Sequence, residues 1–113
     1  MLSSKYRFHS RGGVKYTYKH GKTLRRPDLS LVFSENSKGK TRFAVVVSKK
    51  VLKSAVGRNR IRRRVYEAIR LNFSSFKTPR DYIFVVYNPS VKTIPFSELE
   101  KTIRILARES MIQ

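Results

Sequence analysis

The densest chemistry in this chain lies between Ser48 and Arg70, in the run S-K-K-V-L-K-S-A-V-G-R-N-R-I-R-R-R-V-Y-E-A-I-R. Five arginines, Arg58, Arg60, Arg62, Arg63 and Arg64, fall within seven residues. The apolar spacing predicts a helix from about Arg58 to Phe73, so the arginines crowd its opening turns. A helix amino end carries partial positive charge and favours Asp or Glu. Cations packed there repel one another and the dipole, so folding stability alone does not select them. An external polyanion removes the conflict, and a nucleic acid backbone is the obvious one. A charge run is ordinarily a solvated face. Here no acid intersperses before Glu67, which favours polyanion binding. Lys49 and Lys50, at a predicted strand end, extend the same patch. Gly57 either gives a phosphate close access to the backbone or lets the loop turn.

No protein-borne catalytic site can be argued. His9, His20, Asp28 and Asp81 are scattered over unlike segments, and no nucleophile elbow, zinc-protease or phosphate-loop pattern occurs. His20 precedes Gly21 and reads as a helix end. Asp28 and Asp81 adjoin Pro or Arg and read as turn or surface residues. There is no cysteine, which excludes a disulfide framework and fits a reducing cytoplasm. Aromatics interleave with the cations at Tyr6, Phe8, Tyr16, Tyr18 and Phe33, and such faces can stack unpaired bases. Phe33, Phe43 and Phe84 lie on apolar segments and suit a core; Tyr18 suits a core or an open groove.

The 113 residues suffice for one domain with a modest core. Apolar content of 40% is ordinary for a folded protein. Lys and Arg number 26 against 7 acids, a net charge of +19. Residues 1–66 hold 19 basic residues and two acids, net +17, whereas 67–113 hold 7 and 5, net +2. The first part reads as binding surface and the last as scaffold. Nucleic acid is the first partner suggested and an anionic membrane the second. No apolar run approaches the roughly 20 residues that span a bilayer, and no secretory signal is visible. These features suggest a soluble cytoplasmic protein.

The elements that must position the arginines follow from periodicity. Residues 1–9 read as a loosely held lead. Ser10 could cap a short helix through about His20, with Val14 and Tyr18 on one face. Residues 29–33 and 42–48 read as two strands forming a hairpin across the turn residues 35–40, with 22–26 extending the first or forming a separate strand. In the arginine helix Ile61, Val65, Ala68 and Ile69 form one stripe. Arg60, Arg63, Arg64 and Arg70 fall opposite, with Arg62 at a flank. Residues 82–87 read as a strand. Ser97-Glu98-Leu99-Glu100 reads as a capping box opening a last helix, with Leu99, Ile103, Leu106 and Ala107 on its stripe. The order α-β-β-(β)-α-β-α predicts an α+β fold, one sheet covered by helices on one side.

Ser48-Lys49-Lys50 followed by Arg58-Asn59-Arg60-Ile61-Arg62-Arg63 closely resembles the signature of the bacterial ribonuclease P protein component. Tyr18-Lys-His-Gly21 is similar to that family's first-helix ending, and the resemblance covers nearly the whole chain. It implies a single-domain α/β sandwich of the ribosomal-protein-S5-like type. It also implies a left-handed β-α-β crossover, against the general right-handed rule. The implied partners are the ribonuclease P catalytic RNA and precursor tRNA, whose 5′ leader the assembled endonuclease removes. Magnesium ions are expected in the RNA active site, with no cofactor held by the protein. The implied RNA-binding residues are Lys49, Lys50, Arg58, Asn59, Arg60, Arg62, Arg63 and Arg64. The implied leader cleft is lined by Val14, Tyr18 and Phe33. Val14 and Tyr18 stand where the family usually has two phenylalanines, Tyr66 where it often has a basic residue, and Arg64 at an often apolar position.

Three rivals share parts of this pattern. A ribosomal protein or RNA chaperone would bind RNA without promoting precursor cleavage. A helix-turn-helix DNA binder needs two adjacent helices, whereas a strand precedes the arginine helix. A protein nuclease needs clustered acids for metal ions, and the basic region offers only Asp28 and Glu35.

Overall fold

The computed structural model describes residues 2–8, 11–36 and 39–112. In chain order it contains α1 (Arg11–His20), β1 (Lys22–Arg25), β2 (Leu29–Ser34), β3 (Arg42–Val47), α2 (Ala55–Leu71), β4 (Asp81–Val86) and α3 (Phe96–Met111). Short 3-10 turns occupy Ser4–Tyr6, Phe73–Ser75 and Pro89–Lys92. The predicted α+β class and element order hold. The predicted Ser10 cap lies outside the described residues.

The four strands form one mixed sheet in the order β1-β2-β4-β3. The expected hairpin between residues 29–33 and 42–48 does not form. β4 lies between them, antiparallel to β2 and parallel to β3. Tyr82, Ile83 and Phe84 are fully buried, and a strand apolar on both faces belongs at the centre of a sheet. The hairpin that does form joins β1 to β2, closed by the Arg26 N–H on the Leu29 carbonyl at 3.1 Å.

Pleating divides the strand residues between two layers. Leu29, Leu31, Phe33, Phe43, Val45, Tyr82 and Phe84 face the main core, where α2 and α3 bury the stripes expected of them. Each fully buried Ile or Leu there contributes about 1.5–3 kcal/mol. The alternate residues Val32, Ala44 and Ile83 face the other way and pack with Phe8 and half-buried Val14. Helices therefore cover both faces, α2 and α3 on one and α1 on the other, in place of the one-sided sandwich expected. Residues 2–8 are not a loose lead: Leu2 and Phe8 are buried, and Arg7 bridges in parallel to Phe43 on the open edge of β3. Two apolar anchors and an unpaired strand edge hold the segment down.

Two helix starts differ from expectation. α2 begins at Ala55, three residues before Arg58, because the Ser54 hydroxyl accepts the Gly57 N–H at 3.1 Å. Gly57 is helical and buried, and a Cβ there would meet Leu52 Cδ2 at 2.5 Å, so its smallness serves packing. α3 begins at Phe96 with no side-chain cap. Ser97 and Glu100 thus form no capping box; Glu100 instead accepts from Asn72 Nδ2 at 3.0 Å.

Candidate nucleic-acid interface

α2 presents its arginines in three distinct states. Arg60 and Arg63 are exposed, and among the described residues neither makes a hydrogen bond or ion pair. Arg62 donates to Asn59 Oδ1, so these two side chains orient each other. Arg58 and Arg64 are committed to the fold. The Arg58 guanidinium donates to the carbonyls of Leu52 and Lys53 at 2.9 and 2.7 Å, closing the β3–α2 connection. The Arg64 guanidinium donates to the Val91 carbonyl at 2.6 Å and to that of Ile94, with the Phe96 ring 5.9 Å away. Burial, and secondarily the charge of Arg60, lower its pKa from the ordinary arginine value. Arg64 therefore does not stand free on the outer face, as its helical position suggested. Lys49 and Lys50 are exposed in the turn after β3.

The free arginines border two depressions. Arg62, Arg63, Asn59, Val56, Tyr66 and Arg7 line one of about 670 Å³, with no acid in its wall. Arg7 reaches it from the amino-terminal segment, its guanidinium 5.5 Å from the Tyr66 ring centre. Arg60, Arg63, Arg64, Glu67 and Phe96 line the other, of about 550 Å³. Arg63 is the ridge between them. No acid occupies the first turn of α2, so the helix dipole adds to the positive field. A concave wall whose charged residues are all arginines, as in the first depression, can hold phosphate groups.

The second candidate surface lies on the opposite face of the sheet, beside α1. Val14, Val46 and Val85 are half-buried there on the Phe8–Val32–Ala44–Ile83 cluster. Tyr18 and Tyr87 are each 45% exposed. Burial raises the Tyr18 pKa, and the neighbouring Tyr87 phenol raises it further. Phe33 is not part of this surface. It is 3% exposed, faces the main core, and lies under the Arg80 guanidinium at 5.1 Å. Of Val14, Tyr18 and Phe33, the first two lie on α1 at this face, whereas Phe33 shares the pleat of Leu29 and Leu31 and packs in the main core.

Residues 2–110 match the model of the family Ribonuclease P. The chain belongs to the ribonuclease P protein family. The ribonuclease P protein component of Clostridioides difficile is 36% identical over 95 residues, covering 84% of this chain and 82% of that one. That of Chloroflexus aurantiacus is 33% identical over 107 residues, covering 95% and 78%. Among solved structures, the RNase P protein of Staphylococcus aureus superposes with a TM-score of 0.79 at 21% identity, over 93% of this chain and 94% of that one. The protein from Thermotoga maritima gives 0.81 at 22%, over 91% and 96%. The ribonuclease P protein works with the ribonuclease P RNA and binds precursor tRNA; the ribonucleoprotein is an endoribonuclease that matures tRNA 5′ ends.

Within this ribonuclease P protein, Arg7, Val46, Val85 and Tyr87 also border the two surfaces, and the sequence reading did not single them out. Val46 and Val85 were findable by counting alternate residues along β3 and β4, and Tyr87 follows Val85 by two. Arg7 carried no signal beyond its charge. No group of three or more His, Asp or Glu side chains that could hold a metal ion occurs among the described residues.

Proposed function

We propose that the chain serves ribonuclease P as one RNA-binding domain with two working surfaces. Arg60, Arg62 and Arg63, with Asn59, Lys49 and Lys50, bind the backbone of the catalytic RNA. The open surface of Val14, Tyr18, Val46, Val85 and Tyr87 receives the unpaired 5′ leader of precursor tRNA, stacking bases with little sequence preference. The magnesium chemistry belongs to the RNA. A bacterial cytoplasm is the setting that fits.

The observation that carries this reading is the acid-free depression between Arg7 and Arg63. Its cations have no partner of opposite charge in the wall, so a phosphate backbone completes it. With six to ten phosphate contacts, affinity should fall about 10³–10⁵-fold between 50 and 200 mM salt.

The test is magnesium-dependent cleavage of a 5′-extended precursor tRNA at moderate salt, by a cognate bacterial ribonuclease P RNA with and without the protein. Cleavage at the mature 5′ end that appears or accelerates only with protein supports the reading. Tight RNA binding with no effect on cleavage would make the chain a general RNA binder instead. Protein without RNA should cut nothing.

A further inference from the structure

A third concave surface takes no part in either role. It lies at the carboxyl end of α1, where Tyr16, His20, Lys22, Ser34, Glu35 and Arg80 enclose about 310 Å³. Ligand pockets begin at about 300 Å³, so the space suits one small molecule or one nucleotide. Tyr16 and His20 are separated by four residues and lie on the side of α1 turned away from Val14 and Tyr18. The pocket is therefore separate from the leader surface.

Its chemistry is sorted by position. The Tyr16 and His20 rings lie 4.3 Å apart at 36°, forming an aromatic pair. Tyr16 is 54% exposed, so part of its ring is open to a stacking partner. Lys22 is exposed on the edge strand β1. Arg80 donates to the Ser110 carbonyl at 2.8 Å, yet its Nε is buried with no hydrogen-bond partner. Half-buried Arg80 lines the pocket and brings a second positive charge to it beside Lys22. Glu35 adds one exposed carboxylate, an acceptor with two oxygens side by side.

We propose that this pocket binds a single unpaired nucleotide of RNA, and binds guanosine best. The base stacks on the Tyr16–His20 pair, and its phosphate lies between Lys22 and Arg80. Glu35 accepts from the base edge. Guanine offers an imino and an amino donor side by side, matching a carboxylate; uracil offers one donor. Only the RNA source of the nucleotide rests on the ribonuclease P reading. Nucleotide binding is measured on the protein alone, so the two ideas fail separately.

The test is NMR titration of the intact protein with 5′-GMP, 5′-UMP and inorganic phosphate. The Tyr16 and His20 ring signals should move with GMP, several-fold less tightly with UMP, and not with phosphate alone. Tyr16→Ala, at an exposed position, should weaken GMP about tenfold or more. Glu35→Gln should abolish the preference for GMP over UMP while the fold is unchanged. A short unpaired oligoribonucleotide containing G should displace GMP; failure to do so would overturn the RNA source and assign the pocket to free nucleotides. Shifts confined to the α2 arginines, equal binding of GMP and UMP, or an unaffected Tyr16→Ala variant would each overturn the pocket itself.

Discussion

Arg42 and Asp81 face each other at the first register position of the parallel β3–β4 pair, joined by two hydrogen bonds, Nε to Oδ1 at 2.8 Å and NH2 to Oδ2 at 2.7 Å. Asn36 Nδ2 also donates to the Asp81 carboxylate at 2.9 Å, and the Phe8 ring lies 4.7 Å from the Arg42 guanidinium. Asp81 is 3% exposed, so it is not the surface residue its neighbours Pro79 and Arg80 suggested. The pair ties the amino-terminal segment, β3 and β4 together at the start of both strands. Asp81→Ala should cost about 3 kcal/mol, because it strands a largely enclosed guanidinium. Urea unfolding measures this. A loss under 1 kcal/mol would show that solvent compensates Arg42 easily.

That pair also marks where sequence reading stops. The stripes of α2 and α3 were legible because one helix repeats its buried face every three to four residues within a single segment. Arg42 and Asp81 are 39 residues apart, and only the strand order brings them together. Strand order depends on which strand is apolar on both faces, a comparison among strands rather than a property of any one. Phe33 shows the same limit on a smaller scale. Its type suits a stacking platform, but its pleat, shared with Leu29 and Leu31, decides that it faces the core. Ser54 was legible in principle, since a serine three residues before a glycine N–H is an ordinary cap; the arginines drew the predicted boundary past it.

The arginines of α2 should separate into two classes on mutation. Arg60→Ala with Arg63→Ala should leave unfolding unchanged and lower the slope of log affinity against log salt for the catalytic RNA by about two. Arg64→Ala should instead destabilise the domain by about 1–3 kcal/mol, since the Val91 and Ile94 carbonyls lose their donor. Filter binding over a salt series, paired with thermal unfolding, reads both. An Arg60/Arg63 variant with undiminished affinity at low salt would remove α2 from the interface.

Gly21 sets how closely α1 approaches the sheet. Its N–H donates to the Thr17 carbonyl at 2.7 Å. A Cβ at this position would lie 2.4 Å from the Thr17 oxygen and 2.6 Å from the Phe33 oxygen. Both are backbone atoms and neither can swing aside. Gly21→Ala should therefore cost about 1–3 kcal/mol, as overpacking does, and lift the end of α1 that carries Tyr18. Thermal unfolding and leader affinity should both decline; an unchanged melting temperature would mean that the α1–β1 junction yields freely.

The aromatic residues provide the sharpest separation of surface from core. The Tyr18 phenol is protonated at neutral pH, as any tyrosine is, and burial moves its pKa further up, so it offers both a ring face and a hydroxyl donor. Tyr18→Ala and Tyr87→Ala should each weaken binding of leader-bearing precursor tRNA by about 1–3 kcal/mol, the worth of one stacked base, with little effect on mature tRNA. Phe33→Ala should do the reverse. It should cost about 3–5 kcal/mol of stability by emptying a packed core site, and whatever folds should bind leader and mature tRNA in the original ratio. The comparison is made by competition binding with the two tRNAs. Equal losses on both tRNAs for Tyr18→Ala would move the leader off this face. A leader-selective loss for stably folded Phe33→Ala would place the cleft on the side of the sheet that α2 and α3 cover.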